Sequence, residues 1–222
     1  MNAILRRWWG QLLVVALAVS GMELVVKLHP MLTEATTPLF LSRESLLIGG
    51  SLILAAWLVR TGPVPASTMG WRRPTWRTMA FGLLCLLVLV VVSVLAIYVM
   101  RSWGLSQSDS VLAALGAKPI WMLVLIALTA GISEEVLFRG VILNYLASAS
   151  GKVWLGALGS LAIFALLHAG GWGWSQVLFA AVPGVVLTLF FLWKRDLGIC
   201  IIGHFLTDLI GLLGAYAQVH HP

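Results

Sequence analysis

Residues 78–100 read TMAFGLLCLLVLVVVSVLAIYVM, twenty-three positions without one charged side chain. A helix of that length spans the ~30 Å hydrocarbon core of a bilayer. The run is continuously apolar rather than alternating, which argues against a membrane β-strand and for a helix. Similar runs recur on both sides of it, at about 8–29, 44–60, 119–147, 153–169, 175–193 and 197–217. The chain of 222 residues is 60% hydrophobic and 10% charged, with a mean hydropathy of +1.00. A water-soluble domain carries roughly 25% charged residues, so these charges are too few to cover a wetted surface. The fold class predicted is all-α: a polytopic integral membrane bundle of about seven transmembrane helices, within a range of six to eight.

The segments between the runs fit that reading. Residues 30–43, with two prolines and several threonines, are expected to form a loop. Residues 101–118 are polar and suggest a short surface helix, Gly170 to Trp174 a turn, and Pro183-Gly184 a kink in the sixth helix. The first run follows Arg6 and Arg7 and includes Ala18-Val19-Ser20, a pattern shared with secretory leaders. Its hydrophobicity continues to Leu28, which favours an uncleaved span, on which Glu23 and Lys27 lie four residues apart. The net charge of +6 is placed at run ends, as topology and lipid headgroups require, and so does not indicate nucleic acid. Positive charge is dense at Arg6/Arg7, in the 60–77 loop, at Lys152 and at Lys194/Arg195. It is sparser in the intervening loops, which puts the N-terminus in the cytoplasm and suggests a bacterial inner membrane. The eleven tryptophans cluster near run ends as an interfacial belt. Cys85 and Cys200 lie within apolar runs and form neither a metal-ligand spacing nor a disulfide framework.

Polar residues inside the runs carry the chemistry, because an ionisable group at membrane depth costs several kcal/mol, roughly 2.5–3.5 on insertion scales. Three clusters stand out. In Ser133-Glu134-Glu135-Val136-Leu137-Phe138-Arg139, Glu135 and Arg139 share a helix face and can pair. Glu134 lies about 100° round the helix and is left for another partner. In Phe164-Ala165-Leu166-Leu167-His168, the aromatic ring stacks one turn before the imidazole. In His204-Phe205-Leu206-Thr207-Asp208, the i,i+4 spacing lets the carboxylate orient the imidazole, or lets both point into a cavity. Each cluster alone could be a polar clamp between helices. Together they offer a free carboxylate, two imidazoles, a second carboxylate and a guanidinium, a set that can supply a general base, oxyanion donors or a metal site.

These clusters resemble the motif set of the CPBP family, which comprises the type II CAAX prenyl endopeptidases and bacterial relatives, some linked to bacteriocin processing or immunity (Abi proteins). The family pattern is EExxxR, then FxxxH, then HxxxN or HxxxD; here it reads Glu134-Glu135-x-x-x-Arg139, Phe164-x-x-x-His168 and His204-x-x-x-Asp208. The resemblance covers roughly residues 119–217, so the chain divides into N-terminal helices and polar loops over 1–118 and a CPBP-like catalytic core over 119–217.

The resemblance implies an intramembrane endopeptidase acting on a membrane-embedded or lipid-modified protein or peptide. Glu134 would be the base that activates water and His168 would hold that water. His204 and Asp208 would stabilise the oxyanion or complete the site, with Glu135, Arg139 and Phe164 in support. Asp208 stands where eukaryotic-type members carry Asn. An ionised carboxylate donates no hydrogen bond, so Asp208 is expected to orient His204 or to bind a metal. A metal-independent glutamic mechanism is favoured; a zinc ion, if one binds, would take His168, His204 and Glu134 as ligands. The competing readings are a non-enzymatic immunity or scaffold protein and a proton-coupled transporter, since intramembrane Glu, His and Asp also build proton relays.

Overall fold

The computed structural model describes residues 37–62 and 64–221, together with scattered positions between 10 and 21. Most of the first apolar run, including Glu23 and Lys27, therefore lies outside the described residues. Besides the helical positions among 10–21, the described residues form eight helices and no strand. They are α1 (Thr37–Thr61), α2 (Trp76–Ser102), α3 (Asp109–Gly116), α4 (Ile120–Ser150), α5 (Val153–Leu167), the single turn α6 (Ala169–Trp172), α7 (Trp174–Lys194) and α8 (Leu197–His220). Of these, α1, α2, α4, α7 and α8 are long and apolar enough to cross a membrane. The protein is an all-α polytopic membrane bundle.

Two boundaries differ from the sequence reading. Helix α1 begins at Thr37, so residues 37–43 are helical rather than loop. Pro38 is no obstacle there, since a first-turn proline lacks only an N–H that has no intrahelical partner anyway. The earlier start brings Arg43 and Glu44 into the helix as a buried, hydrogen-bonded ion pair, a pair the sequence reading left in the loop and at the edge of the run. The fifth run makes a helix of only 15 residues, with the separate turn α6 after it where a plain turn was expected. Pro183 sits inside α7 without interrupting it.

Local chemistry fixes the ends. Thr75 and Thr78 form a reciprocal capping box at the start of α2, each side chain accepting from the other's backbone N–H. Asp196 caps α8 through Oδ1 to Gly198 N and accepts the Thr78 hydroxyl on Oδ2 at 3.0 Å, which ties the starts of α2 and α8 together. Helix α4 ends on Gly151 in the left-handed region (φ 69°).

Helix α8 lies against α2, α3 and the first half of α4, while α5 lies between the end of α4 and α7. One buried cluster joins α1 to α4 and α5 through Ala55, Leu58, Val136, Phe138 and Phe164. A second joins α2, α7 and α8 through Leu89, Leu187, Phe191 and Ile199. Because lipid is as apolar as these side chains, close backbone approach does much of the holding. At Gly156 a Cβ would stand 2.4 Å from the Leu143 carbonyl, so α5 meets α4 backbone to backbone.

Candidate active site

Helix α4 changes its winding where its charges lie. Residues Glu135–Ile142 form a π-helical segment between two α-helical stretches. Such segments are rare, sit often at functional sites and misalign the backbone ladder. Side chains satisfy the carbonyls there. Ser160 Oγ of α5 donates to Phe138 O at 2.7 Å, and Asn144 Nδ2 donates to both Arg139 O and Gly140 O at 2.9 Å.

Glu135 is fully buried and forms the centre of the polar network. Its Oε1 accepts from Arg139 Nη1 at 2.7 Å and from His204 Nδ1 at 2.8 Å. Arg139 in turn donates through Nη2 to Gly184 O of α7 at 3.1 Å and lies 4.7 Å over the Phe164 ring. An isolated charge at this depth would be prohibitive; this carboxylate is paired with a guanidinium and an imidazole through Oε1, while its buried Oε2 has no hydrogen-bond partner among the described residues.

With Nδ1 of His204 held by Glu135, Nε2 is the free edge of the ring. It faces Glu134 Oε2 at 3.8 Å and Asp208 Oδ2 at 3.4 Å. The first separation is too long for a direct hydrogen bond and suits a bridging molecule. The Asp208 side chain is 39% exposed, against 14% for Glu134 and 9% for His204, so Asp208 stands at the open edge of the group. His168 closes α5: its Nδ1 donates to Phe164 O at 2.8 Å, which leaves Nε2 as its acceptor, and it lies within electrostatic reach of Glu134. Phe164 is the common wall. Its ring centre is 4.8 Å from that of His168, 6.5 Å from that of His204 and 5.1 Å from that of Phe138.

The structure therefore gathers Glu134, Glu135, Arg139, Phe164, His204 and Asp208 in one place, with His168 joined to them through Phe164. The i,i+4 pair Glu135–Arg139 forms as the spacing predicts. The sequence reading left Asp208 to orient His204 or to bind a metal; here Glu135 holds Nδ1, and Asp208 faces the other ring nitrogen. Asn144, Ser160 and the Gly184 carbonyl were missed. An Asn and a Ser within apolar runs were the available signal; a backbone carbonyl gives none. Among the described residues no three His, Cys, Asp or Glu side chains are grouped so as to hold a metal ion.

Fold and site together define a polytopic membrane protein with a carboxylate–imidazole centre buried among its helices. Residues 115–210, which contain all three motifs, match the family described as type II CAAX prenyl endopeptidase Rce1-like, and this match supports assigning that segment to the CPBP/CAAX protease family. The match bears out the resemblance read from the motifs. No match was found among curated proteins or among solved structures.

Proposed function

We propose that the protein hydrolyses a peptide bond of a membrane-anchored or lipid-modified protein, with Glu134 as general base. The observation that carries this is the 3.8 Å gap between Glu134 Oε2 and His204 Nε2, with the other nitrogen of His204 fixed by Glu135. A water held beside this pair, within hydrogen-bond reach of both atoms, gives its proton to Glu134 while its oxygen attacks the scissile carbonyl carbon. His204, oriented by Glu135 and protonated on Nε2, donates to the developing oxyanion. Glu134 then returns the proton to the leaving amine as the C–N bond breaks, so the group acts first as base and then as acid. His168, with Nε2 free to accept, positions the water. Asp208 at the open edge stabilises the protonated His204 from its second nitrogen. The positive-inside rule places the basic loops, and so the N-terminus, on the cytoplasmic face, in an inner membrane if the source is bacterial.

The test is cleavage of membrane-tail peptides by the purified chain reconstituted in liposomes. Glu134→Gln should reduce turnover by about 10²–10⁴-fold, the usual worth of a positioned base, while the protein inserts and melts as wild type. Chelator should leave wild-type cleavage unchanged. Full activity in Glu134→Gln would refute the assignment, and loss on chelation restored by zinc would replace the metal-free mechanism. Function that survived both Glu134→Gln and His204→Ala would favour an immunity or scaffold role.

A further inference from the structure

A cavity of about 380 Å³ lies at the far end of the bundle from His168, between the 62–75 loop, the end of α4, the start of α5 and the end of α7. Its lining includes two guanidinium groups, Arg72 and Arg195, with Ser67, Thr68 and Asn144, and no acidic side chain among the described residues. Arg195 has a costly position. It is the one non-glycine among the described residues with positive φ (50°), and burial lowers its pKa from the usual value. Its partners are neutral: Nη1 donates to Asn144 Oδ1 at 3.3 Å and the guanidinium lies 5.4 Å from the Phe191 ring centre. A strained backbone carrying a desolvated cation with no carboxylate opposite it is an arrangement that an anion completes.

The depth of the cavity is marked independently. Trp71 adjoins Arg72 and Trp154 adjoins the lining residue Val153; both are about half exposed, at 47% and 56%. Such tryptophans sit at the headgroup level of a bilayer. Basic pockets between helices on the positive side of a membrane suit phosphate-bearing headgroups. We propose that this cavity binds a phosphate group between Arg72 and Arg195, its position favouring the headgroup of an anionic phospholipid as the source. Arg195 supplies a fork of donors suited to phosphate oxygens, Arg72 closes the site from the loop, and the Ser67 and Thr68 hydroxyls offer further donors. The bound group lies one hydrogen bond from Asn144, whose amide holds two carbonyls of the π segment.

The full chain, purified in detergent, would be equilibrated with dioleoylphosphatidylglycerol or dioleoylphosphatidylcholine at equal concentration, and retained lipid counted by native mass spectrometry. Wild type should retain one phosphatidylglycerol in preference to phosphatidylcholine. Arg72→Gln and Arg195→Asn should each weaken retention by about fivefold, the usual worth of one basic side chain near an anionic surface. Arg72 is exposed, so its variant should fold, and Asn tolerates the left-handed backbone at 195. Arg73→Gln, an equal charge loss outside the lining, should change nothing. Displacement of the lipid by millimolar inorganic phosphate would assign the site to soluble phosphate, and retention in its presence to the headgroup; either supports a phosphate site. Equal retention of the two lipids, or an effect of Arg73→Gln equal to that of Arg72→Gln, would overturn the proposal.

Discussion

Glu135 and Arg139 can be separated from the reaction they support by a double-mutant cycle. Both are almost wholly buried, at 0% and 1% exposure, and are joined at 2.7 Å. Glu135→Leu leaves the guanidinium with only the Gly184 carbonyl and the Phe164 face; Arg139→Met leaves the carboxylate with only His204. Removing one member of a buried pair costs about 3–5 kcal/mol, because the other charge is stranded, whereas replacing both by apolar groups of similar volume is often neutral or stabilising. Each single variant should therefore lose about 3–5 kcal/mol in unfolding of the detergent-solubilised protein, and the double variant should recover most of it. Activity should not follow stability. Arg139→Met keeps the Glu135–His204 bond and should retain part of the turnover, whereas every variant lacking Glu135 frees His204 Nδ1 and should be nearly inactive, including the restabilised double. Single variants costing under about 1 kcal/mol, or an active double variant, would refute the assignment of Glu135 as the residue that both anchors Arg139 and orients His204.

Three further outcomes follow from the geometry. Gly156→Val puts side-chain atoms into the Leu143 carbonyl and should lose at least about 1–3 kcal/mol by forcing α5 off α4, read as a lowered melting temperature and reduced folded yield. Ser160→Ala strands the Phe138 carbonyl in the π segment and should cost about 1–3 kcal/mol; a melting curve equal to wild type would show that the carbonyl finds another donor. Asp208→Asn leaves the Glu135–His204 bond in place and should keep turnover within about tenfold of wild type, a change of roughly 1.4 kcal/mol in barrier; a drop as large as that of Glu134→Gln in the same peptide assay would make Asp208 an obligatory participant.

Apolar run length made the bundle legible, since hydrocarbon leaves the backbone few options. The same penalty made Glu134, His168, His204 and Asp208 conspicuous: charges at such depth need a reason. The bond from Glu135 to His204 could not be read, because it joins residues 69 positions apart and depends on how α8 lies against α4. The π segment escaped because i,i+4 reasoning presumes α-helical winding; the Glu135–Arg139 pair nonetheless forms, as both side chains are long enough to absorb the change. The start of α1 differs from the sequence reading because Pro38 and the threonines are common loop signals, whereas proline in a first turn is equally a helix-start signal.

The shortness of α5 bears on how water would reach His168 in the proposed hydrolysis. A helix of 15 residues rises about 22 Å, short of the ~30 Å slab that its longer neighbours cross. It starts beside Lys152 on the basic side and ends at His168, so the shortfall falls on the opposite side, next to the imidazole assigned to the water. On that side a water molecule has a shallower apolar layer to descend than it would along a full-length helix. A truncated helix thus acts as a well sunk from one surface: the proposed hydrolysis would draw its water from the aqueous phase on that side.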